Sequence, residues 1–283
     1  MRKSIQLREE ENFEQMLVFA KKAGFEEVAI SFGSGELIYG EDYEEKVYKM
    51  KELLDANNIK CRQTHLPCYH LLVSGEETEE KTENAIKNAI KASSILGAEW
   101  GAFHPRSDVT GGFNKIKEFE DNKRKLSEYL ETAEKYNVGI AVENMPLYHY
   151  TEPQWKFFGG SWEELYMLCE KLNSDKIGIC WDFGHAHTSA IDQCKVLKYI
   201  GDKIKITHVH DNYRNSDHHQ LPMLGDDWCR CINWDKLMPV IGEINYNGPI
   251  TLEVIYPPLA ACEGFIKCGY DILTQLEGLV TNK

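Results

Sequence analysis

Eight times along the chain, a short β-branched or apolar run gives way to a longer stretch with helical spacing. No other feature constrains the fold as strongly, because strands separated by helices pair in parallel and pack beneath those helices. The strand runs are residues 4–7, 27–31, 59–64, 99–103, 138–143, 177–182, 204–208 and 249–254. Helical spacing covers 12–23, 43–56, 78–96, 115–136, 162–172, 191–200, 234–244 and 263–276, with Gly24 and Gly97 as stop signals after the first and third. Eight such units in 283 residues predict an α/β protein of the closed (β/α)8 type, a TIM barrel, rather than an open doubly wound sheet. The turn Phe32-Gly33-Ser34-Gly35 lacks the spacing of a dinucleotide fingerprint. No Gly-, Pro- or Ser-rich linker divides the chain, so residues 1–283 are expected to form a single domain.

The ten histidines sharpen this reading. They are His65, His70, His104, His149, His185, His187, His208, His210, His218 and His219. On the strand assignment above, each sits at the C-terminal end of a strand or in the loop just after it, and none in a helix. In a parallel barrel those loops gather on one face, where barrel active sites lie. Three carboxylates join them. Glu143 ends the fifth strand, Asp182 ends the sixth, and Glu253 lies in the eighth. Strand alternation puts Glu143 on the face of Ala141, Asp182 on that of Cys180 and Glu253 on that of Thr251. The bulkier Val142, Trp181 and Leu252 face the helices, so the three carboxylates point inward. Buried carboxylates are costly without a partner. Three of them converging with histidines predict a divalent cation, and mixed oxygen and imidazole ligands suit Mn²⁺, Co²⁺, Mg²⁺ or Zn²⁺. His65, His104, Glu143 and Asp182 follow one another at intervals of 39 residues, about one strand–helix unit.

Charge and cysteine content exclude other classes. The formal net charge of −13 gives no general attraction for nucleic acid. No apolar run is long enough for a membrane span, and the basic start Met1-Arg2-Lys3 is not followed by the apolar stretch of a signal peptide. Nine scattered cysteines, with Cys229 and Cys231 the closest pair, have no framework spacing and read as reduced thiols in a cytoplasmic protein. The loop Tyr69-His70-Leu71-Leu72 is the one stretch with the look of a wedge that enters a duplex.

Several short segments carry a family resemblance. They are Thr64-His65-Leu66-Pro67, Phe103-His104-Pro105, Val142-Glu143-Asn144-Met145-Pro146, Trp181-Asp182-Phe183-Gly184-His185, His208-Val209-His210-Asp211-Asn212, Asp217-His218-His219 with Leu221-Pro222 and Gly225, and Leu252-Glu253. In their order and placement they resemble the xylose isomerase-like barrel superfamily, which includes sugar phosphate isomerases and epimerases, inosose dehydratases and metal-dependent apurinic endonucleases. The resemblance implies a single divalent ion on Glu143, Asp182, His208 and Glu253, as in ketose epimerases of the group. It implies that His185 and Arg214 contact substrate oxygens, with His65 and His104 beside them. The endonuclease branch implies a larger set for two to three zinc ions: His65, His104, Glu143, Asp182, His185, His208, Asp217, His219 and Glu253.

The function expected is isomerisation or epimerisation of a small sugar, sugar phosphate or polyol, a step of carbohydrate metabolism. Glu143 and Glu253 exchange a proton with the carbon beside a carbonyl, through an enediolate that His185 and Arg214 stabilise. Trp181, Phe103 and Trp155 are candidate apolar walls, with Trp181 better placed in the core. Arg106, Lys156 and Arg214 are candidate phosphate contacts. A keto-polyol dehydratase shares the first step. A zinc-dependent phosphodiester hydrolase of the apurinic endonuclease type is the alternative in another class, and a metal-binding protein without catalysis is a third. The expected partner is a small molecule, with neither nucleic acid nor membrane, and homo-oligomers are allowed for.

Overall fold

The computed structural model describes residues 1–8, 12–33, 36–68, 76–108, 112–149, 152, 154–223 and 231–281. In chain order the elements are β1 (Arg2–Arg8), α1 (Phe13–Ala23), β2 (Glu27–Ser31), α2 (Glu36–Tyr39), α3 (Tyr43–Ala56), β3 (Lys60–His65), α4 (Glu76–Leu96), β4 (Trp100–Phe103) and α5 (Lys115–Tyr136). Then come β5 (Gly139–Glu143), α6 (Trp162–Leu172), β6 (Ile177–Asp182), α7 (Phe183–Thr188), α8 (Gln193–Ile200), β7 (Ile204–Val209), α9 (Trp234–Glu243), β8 (Pro249–Leu252) and α10 (Leu259–Thr281). The eight strands close into a parallel barrel in sequence order, with β8 paired to β1 through Ser4↔Thr251 and Ile5↔Leu252.

Alternation along each strand sorts the side chains. Ile5, Leu7, Val28, Ile30, Ile140, Val142, Ile179, Trp181 and Leu252 belong to the large core between strands and helices. Ala102, Ala141, Cys180 and Ile206 form a separate small core inside the barrel, with Trp100 packed against it. Two residues further on in the same four strands stand His104, Glu143, Asp182 and His208. The pattern holds in the other four: Gln6 follows Ser4, Ser31 follows Ala29, His65 follows Gln63, and Glu253 follows Thr251. The inner level is tied across the barrel by the Thr251 hydroxyl donating to Gln63 Oε1 at 2.9 Å. At the C-terminal mouth each of the eight strands thus carries a polar inward residue above the barrel core, with His104 and Glu253 one residue past their strands and Arg8 a further step along β1.

The structure departs from the sequence expectations in three places. Residues 183–188 form a helix, so His185 and His187 lie in α7 and not in a loop. Asp182 starts that turn by accepting the His185 backbone N–H at 2.6 Å. The segment is too short for periodicity to reveal, as is α2. Glu253 stands one residue beyond β8, because the eighth strand ends at Leu252. The wedge segment 69–72, Gly225 and Cys229 lie outside the described residues. Among the described residues no helix is long and apolar enough to cross a membrane.

Candidate metal centre

The six strand-end residues named from the sequence meet at the barrel mouth. His208 Nδ1 lies 3.0 Å from Glu143 Oε1, 2.9 Å from Glu253 Oε2 and 3.9 Å from Asp182 Oδ2. One ligand atom from each of these four residues falls within 4.8 Å of all the others. A single ring nitrogen carries at most one proton, so it cannot satisfy three carboxylates at once. Glu143 and Asp182 are fully buried, and histidines supply the ion-pair partners of all three carboxylates among the described residues. Glu143 Oε2 and Glu253 Oε2 are buried without a hydrogen-bond partner. Buried anions with unspent lone pairs around one imidazole nitrogen are the donor set of a divalent cation.

Glu143 faces two ways. Its Oε1 is turned to His208 and to His185 Nδ1 at 3.5 Å, while Oε2 is 3.4 Å from His65 Nε2 and 3.3 Å from His104 Nε2. Those two Nε2 atoms are 3.2 Å apart. The His65 Nδ1–H donates to the Leu66 carbonyl at 2.7 Å, which turns Nε2 toward the centre.

A second group lies beside the first. His185, His210, Asp217 and His219 also bring one ligand atom each within 4.8 Å of the others. His185 Nε2 and His219 Nε2 both stand 3.1 Å from Asp217 Oδ2. Their Nδ1–H groups donate to the carbonyls of Asn144 at 2.8 Å and Glu253 at 3.0 Å. These outer bonds fix both rings with Nε2 inward. His210 Nε2 is 3.1 Å from Asp182 Oδ2 and 3.7 Å from Asp217 Oδ1, so it bridges the two groups.

The charges respond to this crowding. Burial opposes ionisation of Glu143 and Glu253, but the surrounding histidines, His208 foremost, hold both carboxyls well below the usual carboxylate range. Asp217 is likewise held low by His185 and His219 against its burial. Burial pushes His208 and His185 down, but the Cys180 sulfur with Glu143 and Glu253 raises His208, and Asp182 with Asp217 and Glu143 raises His185. His219 is raised to about 9 by Asp217 despite burial. At His65 the Cys68 sulfur and Glu143 outweigh burial, whereas at His104 burial wins and lowers it.

Sequence reasoning missed four participants. Gln6 Nε2 donates to Glu253 Oε1 at 2.6 Å and aims that carboxylate. The polar positions Ser4 and Gln6, alternating with Ile5 and Leu7, carried the signal. Ser31 and Gly33 line the same cavity from β2. His210 was expected at the mouth but not in a ligand role, although it follows His208 on the same strand face. Arg214 is exposed and lines the cavity above the ligands, held in left-handed backbone (φ 69°). Lys156 lies over the Phe113 ring, and neither it nor Arg106 lines the cavity. Phe103 packs on Tyr129 in the core, and Trp181 is buried with its indole N–H on Gln193 Oε1. Trp155 stacks behind His149 and does not form the wall itself.

Comparisons with known proteins bear on this arrangement. A family model described as xylose isomerase-like TIM barrel matches residues 17–266. An uncharacterized protein of Methanocaldococcus jannaschii is 30% identical over 181 residues, which cover 63% of this chain and 58% of that protein. An uncharacterized protein of Sinorhizobium fredii is 29% identical over 204 residues, covering 70% of this chain and 60% of that protein. The chain thus spans about three fifths of the length of these curated relatives. Among solved structures, a D-tagatose 3-epimerase-like protein superposes with a TM-score of 0.77 at 24% identity, covering 99% of this chain and 98% of that one. A D-psicose 3-epimerase determined in the presence of D-fructose superposes with a TM-score of 0.75 at 10% identity, covering 99% of both chains. At these identities the likeness is one of fold.

Proposed function

Because the chain belongs to the xylose isomerase-like TIM barrel family, we propose that it is a divalent-metal-dependent isomerase or epimerase of a small sugar, sugar phosphate or polyol. The observation that carries this reading is the gathering of Glu143, Asp182, Glu253 and His208 Nδ1 within 4.8 Å of one another, opening on a cavity. These four residues would hold one ion of Mn²⁺, Co²⁺, Mg²⁺ or Zn²⁺. Bound there, the ion would draw electron density from adjacent substrate oxygens and acidify the C–H beside a carbonyl. The structural neighbours named as epimerases of ketoses add support at the level of the fold.

The protein side chains do the proton work in this proposal. Glu253 lines the cavity with Oε1 fixed by Gln6 and Oε2 turned to His208 Nδ1, so this carboxylate stands at the boundary between the cation site and the substrate space. Glu143 is fully buried, with Oε1 3.0 Å from the same His208 Nδ1 and Oε2 against the cavity-lining His65 and His104. One carboxylate takes the proton as the C–H bond breaks, and the electron pair moves onto the carbonyl oxygen. The other, which enters the step carrying a proton taken from solvent, gives it to the opposite face of that carbon or, for an isomerase, to its neighbour, and exchange with solvent then resets the pair. No external oxidant or reductant is needed. His185, anchored on the Asn144 carbonyl, and Arg214 at the mouth are the proposed donors to the enediolate oxygens. A keto-polyol dehydratase would share the first step and expel a hydroxyl. Free thiols at all eight described cysteines fit a reducing, cytoplasmic setting, and residues 1–283 are taken as one domain.

The second histidine–aspartate group favours one other reading. With His65 and His104 on the far side of Glu143, the mouth has donors for two to three zinc ions, as a phosphodiester hydrolase of the apurinic endonuclease type would need. Metal analysis of the purified chain separates the two. About one ion per chain, with deuterium exchange into a ketose, supports the isomerase. About three zinc ions and cleavage of abasic DNA support the hydrolase. Under the first reading Glu253→Gln keeps the metal and lowers the exchange rate by ~10²–10⁴-fold. Full activity in that variant removes Glu253 from the mechanism.

A further inference from the structure

The cavity above the ligands holds about 800 Å³. A free hexose displaces roughly 180 Å³, about six waters' worth of liquid. Cavities in the upper part of the ~300–1,000 Å³ range hold ligands of drug size. The space is therefore several times what one sugar ring fills.

Its walls divide by chemistry. The floor is polar: Gln6, His65, His104 and Glu253 come from the ends of strands and His185 from α7. One side is apolar and comes from a single hairpin between β5 and α6: Met145, Leu147, Tyr148 and Phe157. Main-chain hydrogen bonds hold the hairpin's described residues together. Tyr148 pairs antiparallel with Lys156, the Phe157 N–H donates to the Leu147 carbonyl at 3.2 Å, and the His149 N–H donates to the Trp155 carbonyl at 3.0 Å. The Leu147 N–H is tied to Ser189 Oγ at 2.9 Å, just after α7. Behind the surface, the His149 ring packs on Trp155 and Phe157 at centroid distances of 5.3 and 5.8 Å. Tyr148 nevertheless stays 53% exposed, an aromatic face at the cavity mouth outside the packed core. A preformed apolar and aromatic wall suits the C–H face of a ring, and it stands apart from the polar floor where the reacting carbons must sit.

We propose that the substrate is a two-ring molecule: a ketose on the floor, glycosylated at the end remote from its carbonyl, with the second ring lying on the Met145–Leu147–Tyr148–Phe157 wall. This rests on the isomerase or epimerase reading and names its substrate class. The free carbonyl end is required, because the proton is taken beside it. The second ring makes no bond and breaks none, so its contribution is binding energy that positions the reacting ring.

The test uses the full chain loaded with Mn²⁺ in D₂O, following deuterium entry at carbon by NMR. The two probes are D-fructose and 6-O-α-D-glucosyl-D-fructose. Binding of each to the loaded protein is measured separately by calorimetry. The disaccharide is expected to show a kcat/KM about 10–100-fold higher and to bind more tightly. Tyr148→Ala, at a half-exposed position, is expected to bring that ratio close to one. Equal kcat/KM and equal affinity for the two sugars in the unaltered protein overturn the two-ring inference and leave the isomerase reading standing. So does a Tyr148→Ala protein that keeps the full ratio. Absence of exchange with both sugars is the failure of the isomerase reading, and the inference falls with it.

Discussion

Gly184 shows how tightly single positions are constrained at the mouth. A Cβ built there would meet His210 Cε1 at 1.9 Å, so any side chain pushes that ring off Asp182. Gly184→Ala is expected to lower stability by about 1–3 kcal/mol through overpacking and to weaken metal binding at the same time. Thermal melts and a metal titration read the two effects, and normal values in both would show that His210 can shift freely. Gln6 makes the complementary case. It does not reach the proposed ion, but it fixes Glu253, so Gln6→Ala is expected to reduce metal affinity or turnover by about 10–100-fold. A metal titration with unchanged affinity, together with unchanged kcat, would reduce Gln6 to a bystander. At this scale the sequence was half legible. His65, His104, Glu143, Asp182, His208 and Glu253 announced themselves because a charged or imidazole group at a strand end is conspicuous. Gln6, Ser31 and Gly184 are ordinary residues whose importance lies only in what they touch.

Among the elements, strands and long helices are both legible: 27–31 and 177–182, and 43–56, 115–136 and 162–172, have the bounds their periodicity predicts. The helix at 183–188 is not legible in the sequence because six residues show no period, and its start depends on one cap from Asp182. The closing pair of elements invites a test. Lys3 on β1 donates to Glu277 on α10 at 2.7 Å and lies over the Tyr270 ring. The Lys3 amine holds the Glu277 carboxyl below its ordinary value of 4.5. A carboxyl depressed in the folded state contributes stability above its unfolded pKa and loses it as pH falls through the folded one. The contribution should therefore be present at neutral pH and fade below about pH 4.5, with a size of about 0.2–1 kcal/mol for a pair this close to solvent. Denaturant titrations of the unaltered chain and Glu277→Gln should converge on acidification. Curves that stay parallel from pH 7 to pH 3 would assign the pair no role in stability.

For the molecule as a whole, the eightfold alternation of textures is enough to specify the closed barrel. The convergence of side chains was legible too, because topology alone brings eight strand ends to one face. What topology could not supply was the division of donors into two adjoining groups, which depends on the course of the segment from Asp211 to His219. Metal removal probes the assembled centre. Without a cation, three buried carboxylates crowd one imidazole, so stripping by a chelator should destabilise the fold. Restoring Mn²⁺ or Zn²⁺ to about a hundred times its Kd should recover ~2.7 kcal/mol, about 5–10 °C in Tm. A melting temperature indifferent to chelator and to each of the four candidate ions would leave the metal reading without support.

The reactive floor draws its side chains from several strands and from α7, whereas the apolar wall belongs to a single hairpin. Point changes along 145–149 can therefore re-tailor what enters without disturbing the bond-making groups, while no exchange of one loop can transplant the chemistry. Such a scaffold diversifies its diet more readily than its trade.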